Sequence, residues 1–347
     1  MMKALVKYDV TPKAVELRDV PEPTIGADDV LLEVRSVGVC GSDIEMWHHQ
    51  VTFPVNVPVI LGHEFCGVIH AAGANVTDYK VGDRVVSETA AHICGKCQHC
   101  RSGEYNLCPT RKGYGSGVSG AFTKYVAVPQ RILHRIPKSV SFDFASLTEP
   151  ACVAYNATFV KSRVRPGEPV AIIGPGPIGL FAVQMARIGG AYPIVLIGTD
   201  VDESRMKTGL ELGAHITINV SKENAVDRVA ELTDGIGVPL VIDAAGNNAA
   251  FKLAMELVRR NGQITKIGWG PKPLDLSLDP IIAKAATLQG SFSHTWSTWE
   301  AVLHLIESGD IRMEPMITHR FPLSEWEAAF RLVDSKVAVK AVIHPGE

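Results

Sequence analysis

Apolar and polar positions divide this 347-residue chain into stretches of different character. Up to about residue 150, short apolar runs such as "VLLEVRSVGVC", "FCGVIHAAGA", "DRVVSETA" and "FTKYVAVP" are separated by Gly, Pro and Asp. That pattern predicts short strands. The N-terminal "MMKALVKYDVTPKAVELRDV" also alternates like a strand and lacks the apolar core of a signal peptide. From "EPVAIIGPGPIGLFAVQMARIGGA" onward, short apolar runs alternate with helical patterns. Strands are expected at 170–174, 194–198, 216–220, 240–244, 263–268 and 287–292. The intervening "ESRMKTGLELGA" and "AAFKLAMELVRRNG" have helical periodicity and close on Gly or Asn-Gly. Such alternation over roughly 120 residues predicts βαβ units and a parallel sheet. From about Ser293 the chain reads as helix-rich with short strands, and no internal repeat is visible.

Composition narrows the class. The length exceeds what one hydrophobic core usually holds, which predicts two domains. Hydrophobic residues make up 46% and charged residues 20%, as in soluble globular proteins. The net charge of −3 shows no basic surplus, which argues against a nucleic-acid partner. Gly or Pro interrupts every apolar run before the roughly 18 residues a membrane helix needs. A cytoplasmic protein with reduced thiols is the expectation.

Against that background, "HICGKCQHCRSGEYNLC" is unusual, because it holds four of the seven cysteines. Cys94, Cys97, Cys100 and Cys108 are spaced C-x2-C-x2-C-x7-C. Disulfides are disfavoured in a reducing compartment, whereas one tetrahedral metal, usually zinc, takes four thiolates. The segment around 90–110 is polar and has little core of its own, so a metal can fix its shape. Four protein ligands close the site and make it structural, so the chemistry must lie elsewhere.

One candidate lies at Gly174, Gly176 and Gly179, which form G-x-G-x-x-G between the strand "VAIIG" and an apolar helix. In that context the first glycine permits a tight turn and the second lets backbone approach a pyrophosphate. The third lets helix and strand pack closely. Pro177 and Ile178 open the helix, whose N-terminal amides face the phosphates. The next strand runs to Asp200, 21 residues past Gly179, where an acid accepts the ribose hydroxyls of NAD and repels the 2′-phosphate of NADP. Arg205 is the basic neighbour that could accommodate that phosphate, and Gly268 completes the expected cofactor set. Asp200 could instead be a polar strand end or a helix cap with Asp202 and Ser204.

A third group is scattered: Cys40 and Ser42 in "CGSD", His63 and Glu64 in "GHEFCG", and Glu149 and Cys152 in "TEPACVAY". Each alone has a bland reading as core or surface. In order with the cysteine lobe and "GPGPIG", they resemble the zinc-dependent medium-chain dehydrogenases/reductases over essentially the whole chain. Within that family the sorbitol/L-iditol (polyol) branch is the most similar, because "EP" stands at Glu149 where alcohol dehydrogenases usually place a second cysteine. The resemblance implies an α/β fold with a GroES-like, β-rich catalytic domain (1–153 and 293–347) and a doubly wound Rossmann domain (154–292). It implies a catalytic zinc on Cys40 and His63, with Glu64 a ligand or neighbour and Glu149 holding the metal or its water. Ser42 would hydrogen-bond the reacting oxygen and carry its proton outward. A secondary alcohol of a polyol would lose hydride to NAD, giving a ketose.

Two positions depart from the family pattern. Glu45 stands where a histidine often completes the proton exit, so Glu45, His48 or His49 would serve. The "GSFSHTWSTW" region lacks the Arg-Tyr pair of the animal polyol enzymes, which opens other secondary alcohols: L-threonine, a sugar acid or a polyol phosphate. A non-enzymatic structural protein on the same fold is the remaining alternative. The expected partners are a small alcohol and further copies of the chain, as homodimer or homotetramer, with "TLQGSFS" as the edge that pairs. Cys66 and Cys152 read as small buried hydrophobes.

Overall fold

The computed structural model describes residues 1–270 and 272–346. The chain separates into two compact units. One comprises Met1–Glu149, His294–Glu307 and Ile317–Glu347, and the other Pro150–Ser293 and Ser308–Met316.

The first unit is built on a seven-stranded sheet. Its long central strand, Asp29–Gly38, pairs antiparallel with Glu64–Ala72 and with Tyr125–Pro129. The alternation of "DVLLEVRS" sends Val30, Leu32 and Val34 into the core, where they meet Phe65, Ile69, Val85 and Phe122. Each such side chain contributes about 1.5–3 kcal/mol through burial. The C-terminal strand Lys340–His344 joins the same sheet beside Asp29–Gly38, which brings the end of the chain to Cys40 and Glu64. A smaller sheet orders Val15–Val20, Met2–Lys7 and Val59–Ile60.

The second unit carries six parallel strands. Their spatial order is Ile216–Asn219, Ile194–Gly198, Val170–Ile173, Val238–Asp243, Val258–Lys266, Thr287–Gly290. Numbered along the chain this is 3-2-1-4-5-6, the order of a dinucleotide-binding fold. Val170–Ile173 is buried at every position, as a central parallel strand must be.

Several boundaries differ from expectation: the first unit ends at Glu149 rather than 153, and the last parallel strand ends at Gly290 rather than 292. The helical pattern of "AAFKLAMELVRRNG" ends at Leu257, not at Asn261, because Val258 already pairs with Val238 as a strand. Asn261, at φ 56, is a left-handed irregularity inside that strand rather than a helix end. Ser308–Met316 groups with the nucleotide unit, although the sequence reading put everything after 293 in the other domain. The buried Gln184 amide explains this: Nε2 donates to Arg312 O (3.2 Å) and Oε1 accepts from Arg312 N (2.7 Å). Among the described residues, no helix is long and apolar enough to cross a membrane.

Candidate metal and dinucleotide sites

The helix Gly41–His48 begins at Cys40, which is its N-cap. Asp43, in the first turn, folds back so that Oδ2 accepts from Cys40 N at 2.9 Å. The turn thereby fixes the thiol and leaves Asp43 Oδ1 buried, with no hydrogen-bond partner among the described residues and 3.7 Å from His63 Nδ1. A carboxylate behind a ring nitrogen is the arrangement that orients a metal-binding imidazole. His63 follows Gly62, whose φ of 93 turns the chain into the strand Glu64–Ala72. Glu64 sits opposite Gly38 in the sheet, and a Cβ at Gly38 would stand 2.2 Å from Glu64 Oε2. Position 38 must therefore be glycine for the carboxylate to fit.

The ligand atoms of Cys40, His63 and Glu64 all lie within 4.8 Å of one another. Glu149, in the first turn of the helix Thr148–Tyr155, stands outside that trio, its Oε1 accepting from His294 Nε2 at 3.1 Å. Asp43, Glu64 and Glu149 are buried, and the fully buried ammonium of Lys340 meets Glu64 at 2.6 Å. Burial pushes the carboxyls of Asp43 and Glu64 up. Burial opposes charge on His63, but Cys40, Asp43 and Glu149 outweigh it and raise the imidazole well above its usual value. Burial likewise opposes charge on Lys340, yet Glu64, Cys40 and Glu149 raise it. A buried set of acids of this kind costs several kcal/mol unless a cation compensates it. One sulfur, one imidazole and carboxylate oxygen make a donor set that fits zinc. Ser42 and Glu45 are half-buried on the same short helix, and burial raises the Glu45 carboxyl.

The four lobe cysteines converge as well, with their sulfurs within 4.8 Å of one another. Backbone amides turn onto two of them: Cys97 N donates to Cys94 Sγ and Cys94 N to Cys108 Sγ, both at 3.3 Å. Amide donors favour the thiolate, the form that binds metal. They bring Cys108 down to about 6 and lower Cys94, while desolvation and neighbouring thiols push Cys100 up to about 12. The lobe is tied to the sheet by Tyr105, whose hydroxyl donates to both oxygens of the buried Glu88 (2.9 and 2.8 Å).

In the second unit the three glycines differ as the motif requires. Gly174 has φ 98, and a Cβ on Gly179 would stand 1.9 Å from Gly174 O. Among the described residues, a Cβ on Gly176 would meet nothing within 4 Å beyond its own chain neighbours, so that face is open to a ligand. Gly176 is the N-cap of the helix Pro177–Ile188, with Pro177 at its start. Asp202, not Asp200, caps the next turn, taking Thr199 N and Oγ1 onto its Oδ2 (3.1 and 2.8 Å). Asp200 stays 59% exposed, oriented by Asn219 Nδ2 at 2.8 Å and 3.9 Å from Lys222 Nζ. Arg205, expected beside a 2′-phosphate, is only 6% exposed and lies 4.0 Å from Asp202. It packs against the unit's own structure, so Lys222 is the basic residue at this edge. Gly268 packs on Gly246, where a Cβ would come within 2.3 Å of the backbone nitrogen.

Several residues here escaped the sequence reading. Asp43 had a readable signal, the capping spacing behind Cys40 in "CGSD". Lys340 had one too, as a lone charge in the apolar run "VAVKAVIH". Asp243, buried at a strand end, holds the next loop by accepting from Ala245 N and Gly246 N (3.0 and 3.2 Å). The contact of His294 with Glu149, 145 residues away, left no local trace. Trp47 belongs to the core with Trp326 and Phe330, and Phe53 packs against that core. His48 binds Asp334, while His49 is an exposed helix cap. Cys66 and Cys152 are fully buried.

Two family models match the chain. Residues 26–138 match the alcohol dehydrogenase GroES-like domain, and residues 177–308 match the zinc-binding dehydrogenase domain. A sorbitol dehydrogenase of Halalkalibacterium halodurans is 38% identical over 99% of both chains. A D-arabitol-phosphate dehydrogenase of Enterococcus avium is 38% identical over 93% of this chain and 91% of its own. Among solved structures, a protein of Sinorhizobium meliloti 1021 with NADP bound superposes with a TM-score of 0.90. It is 30% identical over 99% of both chains.

Proposed function

The chain belongs to the zinc-dependent medium-chain dehydrogenases, and on that premise we propose that it oxidises a secondary alcohol of a free polyol to a ketose with NAD. It is an oxidoreductase that works with zinc and a nicotinamide dinucleotide. The observation that carries the proposal is the cluster of Cys40, His63 and Glu64 with Glu149 beside it, in place of a second thiolate. These residues would hold a zinc ion, which would supply Lewis acidity toward an alcohol oxygen, while a bound nicotinamide would accept the hydride.

The chain's own residues do the rest. Asp43 stands on the Nδ1 side of His63 and leaves Nε2 for the metal. Lys340 keeps Glu64 in place and balances its charge. Ser42 takes the alcohol proton, and Glu45, three residues on and on the same helix face, passes it outward. Asp200 binds the adenosine ribose, so NAD is preferred over NADP. We place the protein in the cytoplasm as a homo-oligomer. Thr287–Gly290, the edge of the parallel sheet with Leu288 43% exposed, is the strand offered for pairing.

A second reading, oxidation of a polyol phosphate, is supported by the likeness to the arabitol-phosphate enzyme. Against it, "GSFSHTWSTW" supplies no arginine or lysine, and both ring nitrogens of His294 are engaged. The test is NADH appearance with zinc-loaded protein across sorbitol, xylitol, L-iditol, galactitol and the arabitols, their phosphates, L-threonine and sugar acids. The proposal requires the highest kcat/KM on a free polyol. Highest activity on a phosphate, on threonine or on a sugar acid would remove the substrate claim.

A further inference from the structure

Glu64 is held by an ammonium, but Glu149 is held by a ring, and that ring is itself held. Trp299 Nε1 donates to His294 Nδ1 at 2.7 Å. An indole N–H can only donate, so Nδ1 must be the unprotonated nitrogen. The imidazole proton therefore sits on Nε2, which faces Glu149 Oε1 at 3.1 Å. The other tautomer would set N–H against N–H at one end and a lone pair against a carboxylate at the other. His294 is 1% exposed and Trp299 0%, so water cannot rescue either mismatch. Trp299 has little freedom to move. It stacks on His134 at 5.4 Å with rings 10° from parallel, and His134 Nε2 meets Glu88 at 3.2 Å.

We infer that Trp299 and His294 form a positioning pair for Glu149: the indole fixes the tautomer of His294, which then presents Glu149 to the metal site as an oriented acceptor. The proposal rests on the reading of Cys40 and His63 as metal ligands. Glu149 is close enough to that site to act on His63 and Lys340 electrostatically. With one oxygen committed to a neutral donor, its other oxygen is left for the metal or for water beside it. Glu149 thus gains a fixed geometry without a second buried cation. Neither Trp299 nor His294 is a catalytic residue in this account; each acts through the carboxylate.

The experiment compares full-length Trp299→Phe, His294→Phe and His294→Gln with the parent protein. It measures competition for the metal by a chelator, the visible bands of the cobalt-substituted protein, and kcat and KM. Loss of an outer partner typically costs 10–100-fold in metal affinity or activity. Trp299→Phe and His294→Phe should each lose about that factor in metal affinity and kcat, with shifted cobalt bands and unchanged KM for NAD. The His294→Gln carboxamide can accept from Trp299 and donate to Glu149, so it should restore most of the loss. Parent-like metal affinity and cobalt bands in Trp299→Phe would overturn the proposal. So would a His294→Gln protein as impaired as His294→Phe, since the ring would then serve packing alone. The pair of His294 variants decides the matter even if Trp299→Phe proves unstable. A parent protein without metal at Cys40 and His63 would overturn the underlying site as well, and would be seen before any substitution. The metal readouts do not depend on which alcohol is the substrate.

Discussion

Replacing Asp200 by alanine should move the protein from NAD toward NADP by about two to three orders of magnitude. The Asp200 carboxylate is 59% exposed at the end of the strand Ile194–Gly198, and Asn219 fixes its direction. At such an exposed position two unit charges about 4 Å apart repel by about 1 kcal/mol. A 2′-phosphate of roughly −2 would then meet about 2 kcal/mol of repulsion. The same carboxylate accepting ribose hydroxyls contributes about 1–2 kcal/mol to NAD after allowance for competing water. Removing it should weaken NAD and strengthen NADP, a combined swing of about 3–4 kcal/mol. Lys222, 3.9 Å from Asp200 and still paired with Glu203, adds to the swing in the same direction. The assay is kcat/KM for each dinucleotide with one saturating alcohol, checked by direct titration of both dinucleotides without alcohol. Asp200→Asn separates charge from hydrogen bonding: it should relieve NADP while costing NAD less than alanine does. A change in the NAD-to-NADP ratio smaller than about 3-fold in Asp200→Ala would refute the placement of the ribose at this strand end.

Three further outcomes follow from the packing. Gly179→Ala puts a Cβ 1.9 Å from Gly174 O, so the strand–helix turn must open. Thermal unfolding should show a loss of about 1–3 kcal/mol, and dinucleotide titration a weaker complex. Cys94→Ser removes one sulfur of four from the lobe, and metal analysis should show the loss of one zinc with a lower melting temperature. Burial would raise Asp143, but bonds to His344 and Arg320, each at 2.7 Å, outweigh it and bring the carboxyl down to about 2. Its contribution is complete above the ordinary aspartate pKa and disappears as pH falls toward 2. Stability measured against pH should therefore fall by about 2 kcal/mol across that window in the parent, and less in Asp143→Asn.

What could be read from the sequence was local. "VAIIGPGPIG" holds a strand, a turn and a helix within one window, so the tight turn at Gly174 and the close packing at Gly179 were legible in it. The spacing of Cys94, Cys97, Cys100 and Cys108 was legible for the same reason, since a tetrahedral site needs ligands that a short loop can bring together. Asp200 was ambiguous between ribose binding and capping, and the structure removes only the second reading, since the buried Asp202 takes the capping hydrogen bonds. The pairing of Lys340 with Glu64 spans 276 residues and depends on the last strand joining the first sheet, which no periodicity announces. Arg205 read as a phosphate neighbour because it is a basic residue close to Asp200 in sequence, yet its side chain is buried. The strand Val258–Lys266 was cut short because "LVRRNG" carries the same apolar spacing as the helix before it. Only pairing with Val238 decides where the helix stops.

Metal content measured together with turnover tests the catalytic site most directly. The parent protein should carry two zinc ions per chain and reduce NAD with a secondary alcohol. His63→Ala should retain one zinc, held by the four cysteines, remain folded, and lose turnover by several orders of magnitude. A His63→Ala protein that keeps two zinc ions, or that turns over at the parent rate, would contradict the assignment of Cys40, His63 and Glu64 as the catalytic metal site.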